Sequence, residues 1–208
     1  AGCRSAATLS TPTKSRSAER SRGEDNSMSE LVVEGHSDDL ADFTAEIADQ
    51  IESFVIAIRE VARGDEPGGA VSMLLLEVSQ LLLAGGRLGA IGDVVPTERF
   101  EPDAGPDPDI DELRERLAKL LGPIDRYVEV FDPYENPPSA ATFVLSDDRA
   151  DITADLLHGL QHFQAGQPSE ARLGWQFSYL SHWGTHAGAA LRALQSVVAH
   201  ARLDFSSE

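Results

Sequence analysis

A chain of 208 residues has the length of one domain, or of one domain and a tail, and seventeen Lys and Arg against thirty-five Asp and Glu give it a net charge of −18. Five basic and three acidic residues precede Met28, which leaves twelve and thirty-two after it, a balance of −20; such a body repels the phosphates of nucleic acid and of anionic membranes, so neither is expected as a direct partner. A single cysteine, Cys3, excludes a disulfide framework within the chain.

The acidic charge leaves two uses open, meeting a basic protein partner or keeping the chain in solution. The longest apolar stretch, Val71–Leu83, is interrupted by Ser72, Glu77, Ser79 and Gln80. It falls short of the roughly 18–20 residues of a membrane span, and the first residues lack the apolar segment of a secretory signal. The cytoplasm is the expected compartment. Two lysines against fifteen arginines, with abundant Ala, Gly and Asp, fit a GC-rich bacterial genome.

Residues 1 to about 36 are Ser-rich and basic without apolar periodicity, and are expected to be a disordered tail. Met28-Ser-Glu-Leu reads as an ordinary start, which makes the first 27 residues a candidate non-native extension. A first helix is expected from Ser37 to Arg63, with Ser37 as cap, Asp38 and Asp39 at the positive end of the dipole, and Gly64 as stop. Its stripe is Phe43, Ile47, Ile51, Phe54, Ile58 and Val61. A second helix, about Gly69 to Ala90, is apolar nearly all round and is expected at the centre of a bundle.

Residues 93–109 combine four prolines with several aspartates, the composition of a solvated loop. Asp109 is placed to cap a short third helix with a face of Ile110, Leu113, Leu117 and Leu120, ending at Gly122-Pro123. Ile124–Phe131 suits a helical turn or a strand equally, and a Pro-rich connection follows. A fourth helix runs from near Ser146 to near Gly166, with Ile152, Leu156, Leu160 and Phe163 as its buried stripe. A fifth, about Ser169 to Leu203, carries Leu173, Phe177, Leu180, Gly184, Ala187, Leu191, Leu194, Val198 and Ala201 at 4-3 spacing, the rhythm of a bundle helix. The expected architecture is all-α: one bundle domain of about five helices over 37–203, with tails at 1–36 and 204–208.

Two groups of side chains are candidates for chemistry or recognition. His158 and His162 are four residues apart on the fourth helix, and His182 and His186 on the fifth. Two such pairs on facing helices have the spacing of a four-nitrogen metal site, but each lies off its helix's apolar stripe, so no metal and no cofactor is favoured. Trp175, Tyr179, His182 and His186, flanked by Trp183, form a second stripe on the fifth helix holding both tryptophans of the chain. A helix that buries two faces accounts for it; exposed, the same five residues mark a partner or ligand face. Gly85-Gly86-Arg87-Leu88-Gly89 lacks the strand and Lys of a phosphate loop, and 103–111 lacks the closing Glu of an EF-hand. No nucleophile has a partner at a known catalytic spacing, so no catalytic residue is assigned.

Tyr127–Tyr134, Ala150–Leu157, and the run Trp175 … His182-Trp183-Gly184 … Ala190–Leu194 resemble a bacterial, actinobacterial-type family known as domain of unknown function 5063, over roughly Leu40 to Leu203. The resemblance implies a helical fold, transfers no catalytic residue, and implies that the four histidines are local variation. The reading reached is a non-catalytic protein-interaction module, meeting a protein partner through the Trp-His face or the acidic surface. The alternatives are a histidine-rich metal-binding bundle and an acidic partner or decoy of a nucleic-acid-binding protein.

Overall fold

The computed structural model describes residues 24–95, 102–130, 132 and 134–203, with side chains from Asp39 onward. Contacts divide the chain into two units, residues 1–40 and 41–208. The first is described only where helix α1 (Glu24–Arg63) begins. That helical backbone starts well before Ser37, the cap expected from the sequence. Residues 1–23 of the expected tail, the segment 96–101 of the solvated loop and the C-terminal tail 204–208 lie outside the described residues.

The second unit is the expected helical bundle. Helices α2 (Pro67–Ala90), α3 (Asp111–Leu121) and α4 (Leu145–Gln164) fall close to their expected spans. Pro67 sits at the first turn of α2, where its missing N–H costs no hydrogen bond. Asp109 turns its carboxylate onto the Asp111 N–H (3.1 Å) ahead of α3, and Gly122 ends that helix at φ +52°. The ambiguous stretch after it is a strand. β1 (Arg126–Val130) pairs antiparallel with β2 (Ala140–Val144), Tyr127 opposite Phe143. Asp125 closes the hairpin onto α4, its carboxylate accepting from the Ser146 N–H (2.8 Å) and hydroxyl (2.9 Å).

The last helix runs from 168 to 203 with one irregularity: α5 (Pro168–Ser178) passes through a π-helical turn (Tyr179–Trp183) into α6 (Gly184–Leu203). α4 packs on α5, α2 on α6 and α3 on α4. The stripes of α1 and α4 are where the periodicity puts them: Ile47, Ile51, Ile58, Ile152 and Leu156 are fully buried.

Two stripes are placed differently. α2 is long and apolar enough by composition to cross a membrane, and one of its sides is core, with Leu74, Val78 and Leu88 buried. Its other side is open, so the helix flanks the bundle instead of occupying its centre: Met73 is 44% exposed, Leu76 49% and Leu83 67%. On the last helix, Phe177 and Leu180 of the expected aliphatic seam face solvent, while Ala187 and Leu194 of the same seam are buried. A π turn holds one residue more than an α turn, so the seam before it and the seam after it point in different directions. Trp175 and Trp183 take the core position that Phe177 and Leu180 leave.

Candidate functional site

The tryptophans are core residues. Both indoles are fully buried, and each lies against a glycine on a neighbouring helix. A Cβ on Gly159 of α4 would stand 2.0 Å from Trp175 Nε1, and one on Gly85 of α2 would stand 2.6 Å from the Trp183 ring and 2.5 Å from Tyr179. Trp175 Nε1 donates to the Leu156 carbonyl at 3.1 Å. Next to it, buried Gln176 donates to the Leu88 carbonyl (3.0 Å) and accepts from the Val94 N–H (3.0 Å), tying the end of α2 to α5.

The five-residue Trp-His face is thus divided. Trp175 and Trp183 are sealed, Tyr179 is half-buried against Trp183 (ring centres 4.8 Å apart), and the imidazoles of His182 and His186 remain toward the surface. An exposed aromatic face containing the tryptophans is therefore ruled out, because close helix packing over Gly85 and Gly159 consumes both indoles.

The four histidines do not converge on one point. They associate along their own helices, with ring centres 5.0 Å apart for His158 and His162 and 4.9 Å for His182 and His186. Among the described residues no group of three or more His, Cys, Asp and Glu is placed to hold a metal ion. His162, expected off the buried stripe, is itself buried and pairs through Nδ1 with Gln167 Oε1 at 2.8 Å, since α4 buries a second side against the start of α5.

Carboxylates that the sequence reading passed over hold the other two. His182 Nδ1 meets Asp155 Oδ2 at 2.7 Å, and His186 Nδ1 meets Asp148 Oδ1 at 2.8 Å. Asp148, buried, also accepts from the Tyr127 hydroxyl at 2.7 Å, which makes a chain from β1 through α4 to α6. The hydrogen bond to Asp148 raises the His186 pKa above the ordinary 6.5, and burial together with the same carboxylate pushes the Tyr127 phenol up. Beside them Arg149 is fully buried, its three guanidinium nitrogens have no hydrogen-bond partner among the described residues, and desolvation lowers its pKa.

Asp148, Asp151, Asp155, His158 and His162 follow one another on α4 at spacings of 3, 4, 3 and 4, a polar stripe at helical period. That signal was available in the sequence. Asp151 and the neighbouring Asp147 receive Arg114 of α3, at 2.9 and 3.3 Å, so the upper part of the stripe is partly compensated within the chain.

Its lower part opens. A groove of about 550 Å³ lies between the 107–110 segment, α4 and the helix entering the π turn, lined by Asp107, Asp155, His158, Phe177, Ser178 and His182 among others, with no Lys or Arg among the described residues. Gln161 anchors the nearby loop by donating to the Pro106 carbonyl at 3.0 Å. The His182 side chain is 42% exposed, and Phe177 is 68% exposed at the rim. The hydroxyls of Ser178 and Ser181 are turned onto backbone carbonyls one turn behind them. The groove therefore presents carboxylate acceptors, imidazole and an open aromatic ring.

Bundle and groove together define an all-helical protein with an acid–histidine cleft beside a π turn. The chain belongs to the family described as Domain of unknown function (DUF5063), which matches residues 38–200. Its fold is similar to that in the crystal structure of protein BF1032 from Bacteroides fragilis, with a TM-score of 0.59 and 20% identity over 74% of this chain and 90% of that one. No curated protein matches the chain.

Proposed function

We propose that the chain is a non-catalytic interaction module whose acidic groove takes a basic segment of a protein partner. One observation carries the reading: Asp107 and Asp155 share a cleft with the exposed Phe177 ring, and among the described residues no Lys or Arg lines it. A Lys or Arg side chain entering there gains two anions and an aromatic face for its cation. The surrounding charge, −18 over the whole chain, steers such a partner toward the protein. Asp155 keeps its hydrogen bond to His182, which fixes the carboxylate's direction before anything binds.

The test is fluorescence anisotropy with a labelled Arg-rich decapeptide. Binding is expected, with Asp155→Asn or Asp107→Asn weakening it about two- to five-fold each, the range of a partly exposed ion pair. Absence of binding, or equal binding by the two variants and the parent, overturns the reading. A second reading, an acidic partner that occupies a nucleic-acid-binding protein's groove, draws on the −20 balance after Met28. It requires that the chain release DNA from such a protein, and failure to compete removes it.

A further inference from the structure

Every exposed position of α2, from Pro67 to Ala90, is uncharged, and the two charged residues of the helix, Glu77 and Arg87, are half-buried. Arg87 is bound to Glu46 at 2.5 Å and lies over the Phe43 ring. In a chain that is 25% charged, a neutral face along 24 residues, about 36 Å of helix, stands apart. α1, by contrast, exposes Asp42, Glu46, Asp49, Glu52, Arg59 and Glu60.

The open face has a period. Gly69, Ser72, Leu76, Ser79, Leu83, Gly86 and Ala90 are spaced 3, 4, 3, 4, 3 and 4, with Met73 and Gln80 beside them, all exposed. This is the heptad spacing of a helix that packs on another helix at a shallow angle, and the small residues allow backbones to approach. Next to the Leu83 ridge is a groove of about 280 Å³ between α1 and α2, lined by Gln50, Ser53, Phe54, Gln80, Leu81 and Leu83, with Asp49 and Glu77 also at it. Ridge and groove on one face are what two-fold pairing of identical surfaces requires.

We infer that the open face of α2 is the contact between two copies of this chain, packed α2 on α2. Charge selects the occupant. A basic partner finds no carboxylate along the exposed ridge of α2, since Asp49 and Glu77 stand only at the flanking groove, and an anionic lipid surface is repelled by the acidic body around it. A second copy offers an uncharged, apolar ridge of matching period, and meets it with no charged residue at the exposed positions of the ridge.

Analytical ultracentrifugation of the full chain tests this, with the Leu76→Asp/Leu83→Asp variant as comparison; both positions are exposed, and far-UV circular dichroism checks that the variant keeps its helices. The parent is expected at twice the 22.4 kDa chain mass, and the variant at that mass. Added salt is expected to leave the pair intact or tighten it, the opposite of its effect on a basic peptide in the Asp155 groove, so the two readings fail separately. A monomeric parent at 100 µM-scale loading, or a dimer that survives both substitutions, overturns the inference. So does a monomer whose α2 face instead binds neutral phosphatidylcholine vesicles.

Discussion

Gly159 and Gly85 illustrate how one missing Cβ positions an aromatic side chain. With no atom beyond Cα on Gly159, Trp175 sits against the α4 backbone and its N–H reaches the Leu156 carbonyl. Gly159→Ala forces the indole out of a packed core, and overpacking of this kind costs about 1–3 kcal/mol. Gly188→Ala, inside α6 and with nothing within 4 Å of the added carbon, stabilises by about 0.5–1 kcal/mol through helix propensity. Urea unfolding of the two variants checks the contrast in sign. His186 gives a pH dependence. Its folded pKa is raised by Asp148, so the pair's contribution is fully present below the free-histidine value of about 6.5 and is lost as pH rises through the raised folded value. Stability measured from pH 5.5 to 8.5 is expected to fall across that window in the parent, and to fall less in His186→Gln. The histidine spacings were legible in the sequence; their partners were not, because Asp148 and Asp155 look like ordinary solvated helix acids until another helix is laid across them.

The π turn decides how much of the last helix can be read from periodicity. An uninterrupted heptad pattern assigns Phe177 and Leu180 to the core, and the extra residue at 179–183 turns them outward while rotating Trp175 and Trp183 in. Nothing in the composition of Tyr-Leu-Ser-His-Trp announces that turn; it is fixed by tertiary fit, with Tyr179 and Trp183 packed over Gly85. Acrylamide quenching reads the outcome directly, since Trp175 and Trp183 are the chain's only tryptophans. Quenching is expected several-fold below that of the urea-unfolded chain, whereas quenching close to the unfolded value would place the indoles at the surface. The regular elements fared otherwise: on α1 one stripe suffices to define the buried side, and on α4 the expected stripe is buried together with a second side that carries Asp148, Arg149 and His162. α2 shows the limit, because a helix apolar all round carries no marker of which side is left open.

At the scale of the molecule, the acidic charge is distributed unevenly in its consequences. Arg114 pairs with Asp147 and Asp151 within the chain, while Asp107 and Asp155 line a groove that no Lys or Arg among the described residues lines. The exposed ridge of α2 carries no charge, so the two proposed surfaces are expected to respond to salt in opposite directions. The fold class and the acidic character were readable from the sequence, whereas the groove was not: its walls come from the 107–110 segment, α4 and α5, brought together by packing alone.

The salt dependence of basic-peptide binding tests the groove most directly. The account predicts that log Kd for the Arg-rich decapeptide rises with log salt concentration, and that Asp107→Asn/Asp155→Asn lowers both the affinity and that slope. An equal change of charge at exposed Asp42 and Asp65 should leave the affinity nearly unchanged. If the distant pair of substitutions weakens binding as much as the groove pair, the peptide is responding to net charge alone and the groove is not its site.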